Sequence, residues 1–208
     1  MELLTALSFL GVGVLLTLMP GPDNLFVVAQ SLSKGSKAGI ATALGLCSGL
    51  LVHITAATLG ISTLIYQSAV AFAVVKYAGA AYLLYLAWMS FREKEADLTI
   101  AADRRPADYK ALYKKGIVMN VLNPKVSLFF LALLPQFVTS SSGSVAVQML
   151  ILGTIFLVQA LLIFIGISVF SEKVGGLLRK SPVLSKRINI IQGTLFGIIG
   201  LKIAFSER

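Results

Sequence analysis

Six apolar stretches, each long enough to cross a lipid bilayer, constrain this chain more than any other feature. A spanning helix needs roughly 20 mostly apolar residues to cross a hydrocarbon core of about 30 Å. Such stretches run from Leu3 to Ser33, Ala38 to Tyr66, Ser68 to Phe91, Gly116 to Val138, Val145 to Phe170 and Ile188 to Phe205. They are continuously apolar, where a β-barrel would show segments of alternating polarity. Only 13% of the residues are charged and the mean hydropathy is +0.87, against about 25% charged in soluble domains. A soluble fold of 208 residues could not hide so much apolar surface. The expectation is an all-α integral membrane protein with six transmembrane helices.

The net charge of +9 would suggest anionic partners in a soluble protein, but its distribution says something else. Of the 18 Lys and Arg, two (Lys34, Lys37) lie between the first and second stretches, seven between Arg92 and Lys115, and five between Lys173 and Arg187. The alternate joints are nearly bare, with one Lys between Gln67 and Lys76 and none between Thr139 and Ser144. By the positive-inside rule the basic joints are cytoplasmic, which puts both termini outside. No nucleic-acid partner is implied.

The two halves resemble one another in register. "PGPDNLFVV" (Pro20 to Val28) in the first stretch matches "NPKVSLFFL" (Asn123 to Leu131) in the fourth, and "GIS" at Gly60 to Ser62 recurs at Gly166 to Ser168. Residues 1–91 and 116–208 then form two three-helix repeats of one membrane domain, joined by a cytoplasmic connector at 92–115. Three spans per half is odd, so the second half enters from the opposite side. Inverted repeats of this kind belong to secondary transporters, whose substrate sits at the repeat interface beside interrupted helices.

Pro20-Gly21-Pro22 is the sharpest local feature, because proline removes a helical hydrogen bond and clashes with the preceding turn. Pro124 does the same in the fourth stretch, so helices one and four are expected to be interrupted. Asp23 follows the first break and Lys125 the second. At about 1.5 Å per residue from Lys34 and Lys115, each lies roughly 15 Å inside the cytoplasmic edge, near the midplane. An ionisable group there costs about 2.5 to 3.5 kcal/mol and by default marks a pathway or a partner. A plain kink and a structural ion pair are the bland alternatives. The functional reading is a site for a small zwitterion, with Lys125 facing a carboxylate and Asp23 an ammonium or a proton. Asn24, Asn123 and Gln30 are the further candidates for the substrate and proton pathway.

Other chemistries are disfavoured. One histidine, His53, and one cysteine, Cys47, do not suffice for a soft-metal site, and the lone thiol excludes an intrachain disulfide. A phosphate loop is missing, and "GLCSG" lacks the first glycine of a serine-protease turn, so neither ATP hydrolysis nor intramembrane proteolysis is expected. A lone histidine in an apolar helix is more often a helix–helix hydrogen bonder than a proton carrier. Gly45-x-x-x-Gly49 and Gly193-x-x-x-Gly197 permit close helix approach, within the bundle or in a homodimer.

On these residues the sequence resembles the LysE/RhtB family of bacterial amino-acid exporters. The stretches that carry the likeness are "LMPGPDNLFVVAQSLSKGSKAGIATALGLCSGLLVH", "KYAGAAYLLYLAWMSFR" and "NVLNPKVSLFFLALLPQF". The resemblance implies efflux of amino acids across the bacterial inner membrane, driven by the proton-motive force as an antiport, with no cofactor and no enzymatic activity. It carries the family's functional positions to Pro20, Gly21, Pro22, Asp23, Asn123, Pro124 and Lys125. Asp23 is the only acid deep in a span and Lys125 offsets it, which favours a neutral substrate such as homoserine or threonine. A passive channel or pore for small solutes is the alternative.

Overall fold

A computed structural model describes residues 2–19, 21–67, 106–139 and 143–171, with scattered helical positions between 70 and 92 and between 190 and 205. Pro20, most of the third and sixth apolar stretches and most of the connector lie outside the described residues. Every regular element among the described residues is helical: α1 (Leu3–Leu18), α2 (Pro22–Lys34), α3 (Ser36–Gln67), α4 (Tyr109–Val121), α5 (Pro124–Leu128) and α6 (Val145–Val169). After α5 the chain continues through a π-helical turn, Phe129–Leu133, into a 3₁₀ turn, Leu134–Phe137. Among the described residues two helices are long and apolar enough to cross a membrane, or up to four spans if each bent pair is counted as one.

The first break separates α1 from α2 with a bend of 57°, and the second separates α4 from the segment Pro124–Phe137, which α5 opens, with a bend of 52°. Local chemistry sets both restarts. Pro22 and Pro124 each stand in the first helical turn, where a missing N–H removes no helical bond. Asn123 caps α5 by accepting from Lys125 N at 3.0 Å. Asp108 caps α4 by accepting from Ala111 N at 3.0 Å. That cap starts the helix at Tyr109, ahead of the apolar stretch beginning at Gly116, because capping sets where a helix begins and apolarity only where lipid does. Gly35, at φ 87°, supplies the left-handed residue that ends α2.

Small residues let these helices touch. A Cβ on Gly45 would collide with the Tyr113 carbonyl, and one on Gly116 would lie 2.6 Å from the Thr42 carbonyl, so α3 and α4 cross backbone to backbone. The Gly45/Gly49 pair therefore serves packing inside the chain. Gly13 admits the Phe156 ring between α1 and α6, and Gly153 admits Ile54 between α6 and α3. Around Phe9, the rings of Phe129, Phe137 and Phe156 stand 6.0, 5.2 and 6.4 Å away, centroid to centroid. This aromatic cluster fills the bundle beside the two breaks.

Candidate functional site

Proline chemistry dictates which carbonyls each break strands. A proline carries no N–H, so the carbonyl four residues earlier loses its helical donor. Pro20 does this to Leu16, and Pro124 does it to Asn120. In lipid each bare group costs several kcal/mol. Side chains from other helices meet the need. Lys125 Nζ, from the second break, donates to Leu16 O at 3.1 Å. His53 Nε2, from α3, lies 3.0 Å from Asn120 O. Asn24 Nδ2 donates to Thr17 O and to Met19 O, both at 2.7 Å, closing the frayed end of α1.

The charged and amide groups converge on one cavity of about 40 Å³, room for a few water molecules. Asp23, Asn24, Asn120, Asn123 and Lys125 form its polar side, while Leu16, Leu50, Val126, Phe156, Ala160 and Phe164 form its apolar side. Asp23 is buried in the first turn of α2, where the positive end of the helix dipole favours a carboxylate. Asn120 Nδ2 donates to Asp23 Oδ2 at 3.2 Å. Among the described residues no donor is aligned on Asp23 Oδ1 or Asn120 Oδ1, although the Asn123 side chain adjoins the carboxylate. The Lys125 ammonium lies beside Gly21, where a Cβ would be 3.6 Å away. Asp23 and Lys125 line the same cavity, but each is held by a different hydrogen-bond partner, an amide for the acid and a carbonyl for the base.

Of the residues singled out from sequence, Gly21, Pro22, Asp23, Asn24, Asn123 and Lys125 meet at this cavity. Gln30 does not line it, because it stands two turns further along α2, about 10 Å from Asp23. Pro124 opens α5 and is not among the lining residues, and Pro20 lies outside the described residues. Two polar residues outside the sequence candidates, Asn120 and Gln159, take part as well. Asn120 is the donor to Asp23, and Gln159 Nε2 donates to Thr17 Oγ1 at 2.9 Å, tying α6 to the end of α1. The signal for Asn120 was present, since it stands four residues before Pro124. Gln159 had none. His53 bonds one helix to another, as a lone histidine in an apolar helix was expected to do.

Comparison with known proteins identifies the family to which the chain belongs. The family model for LysE type translocators matches residues 4–207. A homoserine/homoserine lactone efflux protein of Salmonella typhimurium is 32% identical over 202 residues, covering 97% of this chain and 96% of that protein. A leucine efflux protein of Salmonella choleraesuis is 31% identical over 147 residues, covering 71% and 69%. A membrane protein of Vibrio cholerae without assigned function is 32% identical over 208 residues, covering both chains in full. No solved structure matches the chain. The match over nearly the whole length makes this chain a member of the LysE type translocator family.

Proposed function

We propose that this protein exports a neutral amino acid across the bacterial inner membrane, exchanging it for protons, with the cavity at the two helix breaks as its binding site. The observation that carries the reading is the pairing of opposite chemistries on one cavity: an ammonium on one side, and a carboxylate with an adjacent amide oxygen on the other. A free amino acid presents the complementary ends, and the cavity, which at about 40 Å³ has room for only a few water molecules, must widen to admit one. Its carboxylate would draw Lys125 Nζ from Leu16 O, and its ammonium would donate to Asp23 Oδ1 and Asn120 Oδ1. The uncharged remainder of the wall, with Leu50, Val126, Phe156 and Phe164, suits a side chain without charge. Relatives named for homoserine and leucine efflux support that class.

The transport reading uses six spans in two inverted repeats, with both termini outside and the basic joints in the cytoplasm. Export then begins at the end of the cavity nearest Lys34 and Lys115. Uptake of a panel of labelled amino acids into inverted membrane vesicles, with and without an imposed proton gradient, tests the proposal. Gradient-dependent accumulation of a neutral amino acid is expected. Equilibration without accumulation would replace the exporter with a passive pore.

A further inference from the structure

We infer that His53 is a positioning residue for this site, holding the Asn120 side chain on Asp23 through the carbonyl that Pro124 strands. The inference rests on the exporter reading and adds a residue that does not touch the cavity.

Asn120 O has lost its helical donor to Pro124 and accepts from Asn123 N at 3.0 Å, in a tightened turn. His53 supplies a second donor, with Nε2 at 3.0 Å. A carbonyl oxygen only accepts, so Nε2 carries the proton and donates. The imidazole is 8% exposed and stacks on Phe130 at 6.2 Å with an interplanar angle of 19°, which fixes its plane. Asn120 is 1% exposed. It occupies room left by Gly49, where a Cβ would come within 2.8 Å of Asn120 Cβ, so its backbone cannot drift toward α3 without collision.

The Asn120 side chain then reaches across to Asp23 Oδ2 at 3.2 Å. His53 on α3, Asn120 on α4 and Asp23 on α2 form one relay of position across three helices. It mirrors the bond from Lys125 to Leu16 O, in which a side chain of the second half holds a stranded carbonyl of the first. Losing the His53 donor lets the turn at Asn120 relax and takes the amide off the carboxylate. The role demands a donor at the Nε2 position and no change of protonation.

Glutamine places its amide nitrogen near the position of Nε2, whereas asparagine reaches only as far as Nδ1. The experiment compares His53→Gln, His53→Asn and His53→Leu in inverted vesicles, with uptake normalised to folded protein. His53→Gln is expected to keep KM within about threefold of the parent, while His53→Asn raises KM by roughly tenfold or more at a similar amount of folded protein. Should His53→Leu fail to fold, the Gln and Asn pair still decides. A parental KM in His53→Asn, or a His53→Gln as impaired as His53→Asn, would overturn the inference. So would a His53→Gln that still equilibrates substrate but ignores the proton gradient, because His53 would then be a proton carrier. A parent that accumulates no amino acid would overturn the exporter reading itself, and this inference with it.

Discussion

Replacing Asp23 with Asn, Lys125 with Met, and both together separates a binding site from a structural clamp. Asparagine has the shape of aspartate, and its carbonyl can still accept from Asn120 Nδ2, which lies 3.2 Å from Asp23 Oδ2. The exchange turns a hydrogen bond to a charged group, worth about 1.5–3 kcal/mol, into a neutral one worth about 1. Part of that loss is offset because a carboxylate no longer has to be buried. Asp23→Asn should therefore fold in amounts comparable to the parent. Lys125→Met fills similar volume but removes the donor to Leu16 O, a carbonyl that Pro20 already deprives of its helical bond. The cost is about 1–3 kcal/mol, or roughly 2–12 °C in melting temperature for a chain of this size. Folded protein is measured by size-exclusion chromatography of detergent extracts, and transport by uptake into inverted vesicles. Each single variant is expected to lose at least about tenfold in uptake per folded molecule, equivalent to about 1.4 kcal/mol, and the double variant is expected to remain inactive. If the singles instead lose folded protein and the double variant restores both folding and transport, the two charges are a clamp and the site assignment is wrong.

Three further outcomes are expected. Gly45→Val and Gly116→Val should each destabilise the protein by about 1–3 kcal/mol or more by forcing α3 and α4 apart, whereas Gly60→Ala, with nothing within 4 Å of its added Cβ, should stabilise by about 0.5–1 kcal/mol; thermal melts in detergent compare them. Asn24→Ala removes the donor to both Thr17 O and Met19 O, for a loss of about 2 kcal/mol at roughly 1 kcal/mol per bond, and the same melts would show no change if the end of α1 were held by other contacts. With Cys47 replaced, a cysteine introduced at Ser141 should react with an impermeant reagent outside intact cells and one at Ser181 should not, and the reverse pattern would invert the orientation.

The positions of the two breaks were legible in the sequence because proline acts on its own helix, whatever the rest of the chain does. Asp23 and Lys125 were legible for a related reason: a charge far from any polar joint is conspicuous wherever it finally points. Their immediate partners were not. The acid is met by Asn120 and the base by the Leu16 carbonyl, contacts set by how α1, α2, α4 and α5 cross, and no spacing along the chain encodes a crossing. Part of this could have been anticipated, since each proline names the carbonyl it strands, four residues back, and so announces that a donor must arrive from elsewhere. His53, a donor inside an apolar helix, was one half of that match. Gln30 was grouped with the site on polarity alone, and helix rise sets it about 10 Å from Asp23, outside the lining of this cavity. The π-helical turn at Phe129–Leu133 had no sequence signal, because the run "FFLAL" suits an ordinary helix equally well.

The claim that this cavity recognises both ends of one amino acid is tested most directly by competition. Uptake of the best labelled substrate into inverted vesicles is measured against the unlabelled amino acid, the amine left when its carboxylate is removed, and the acid left when its ammonium is removed. If Lys125 and Asp23 read opposite poles, the intact amino acid competes at a concentration at least about tenfold lower than either fragment, a difference of about 1.4 kcal/mol or more for the lost pole. Equal competition by the amine or by the acid alone would show that only one charge meets the substrate, and would contradict a site built from both helix breaks.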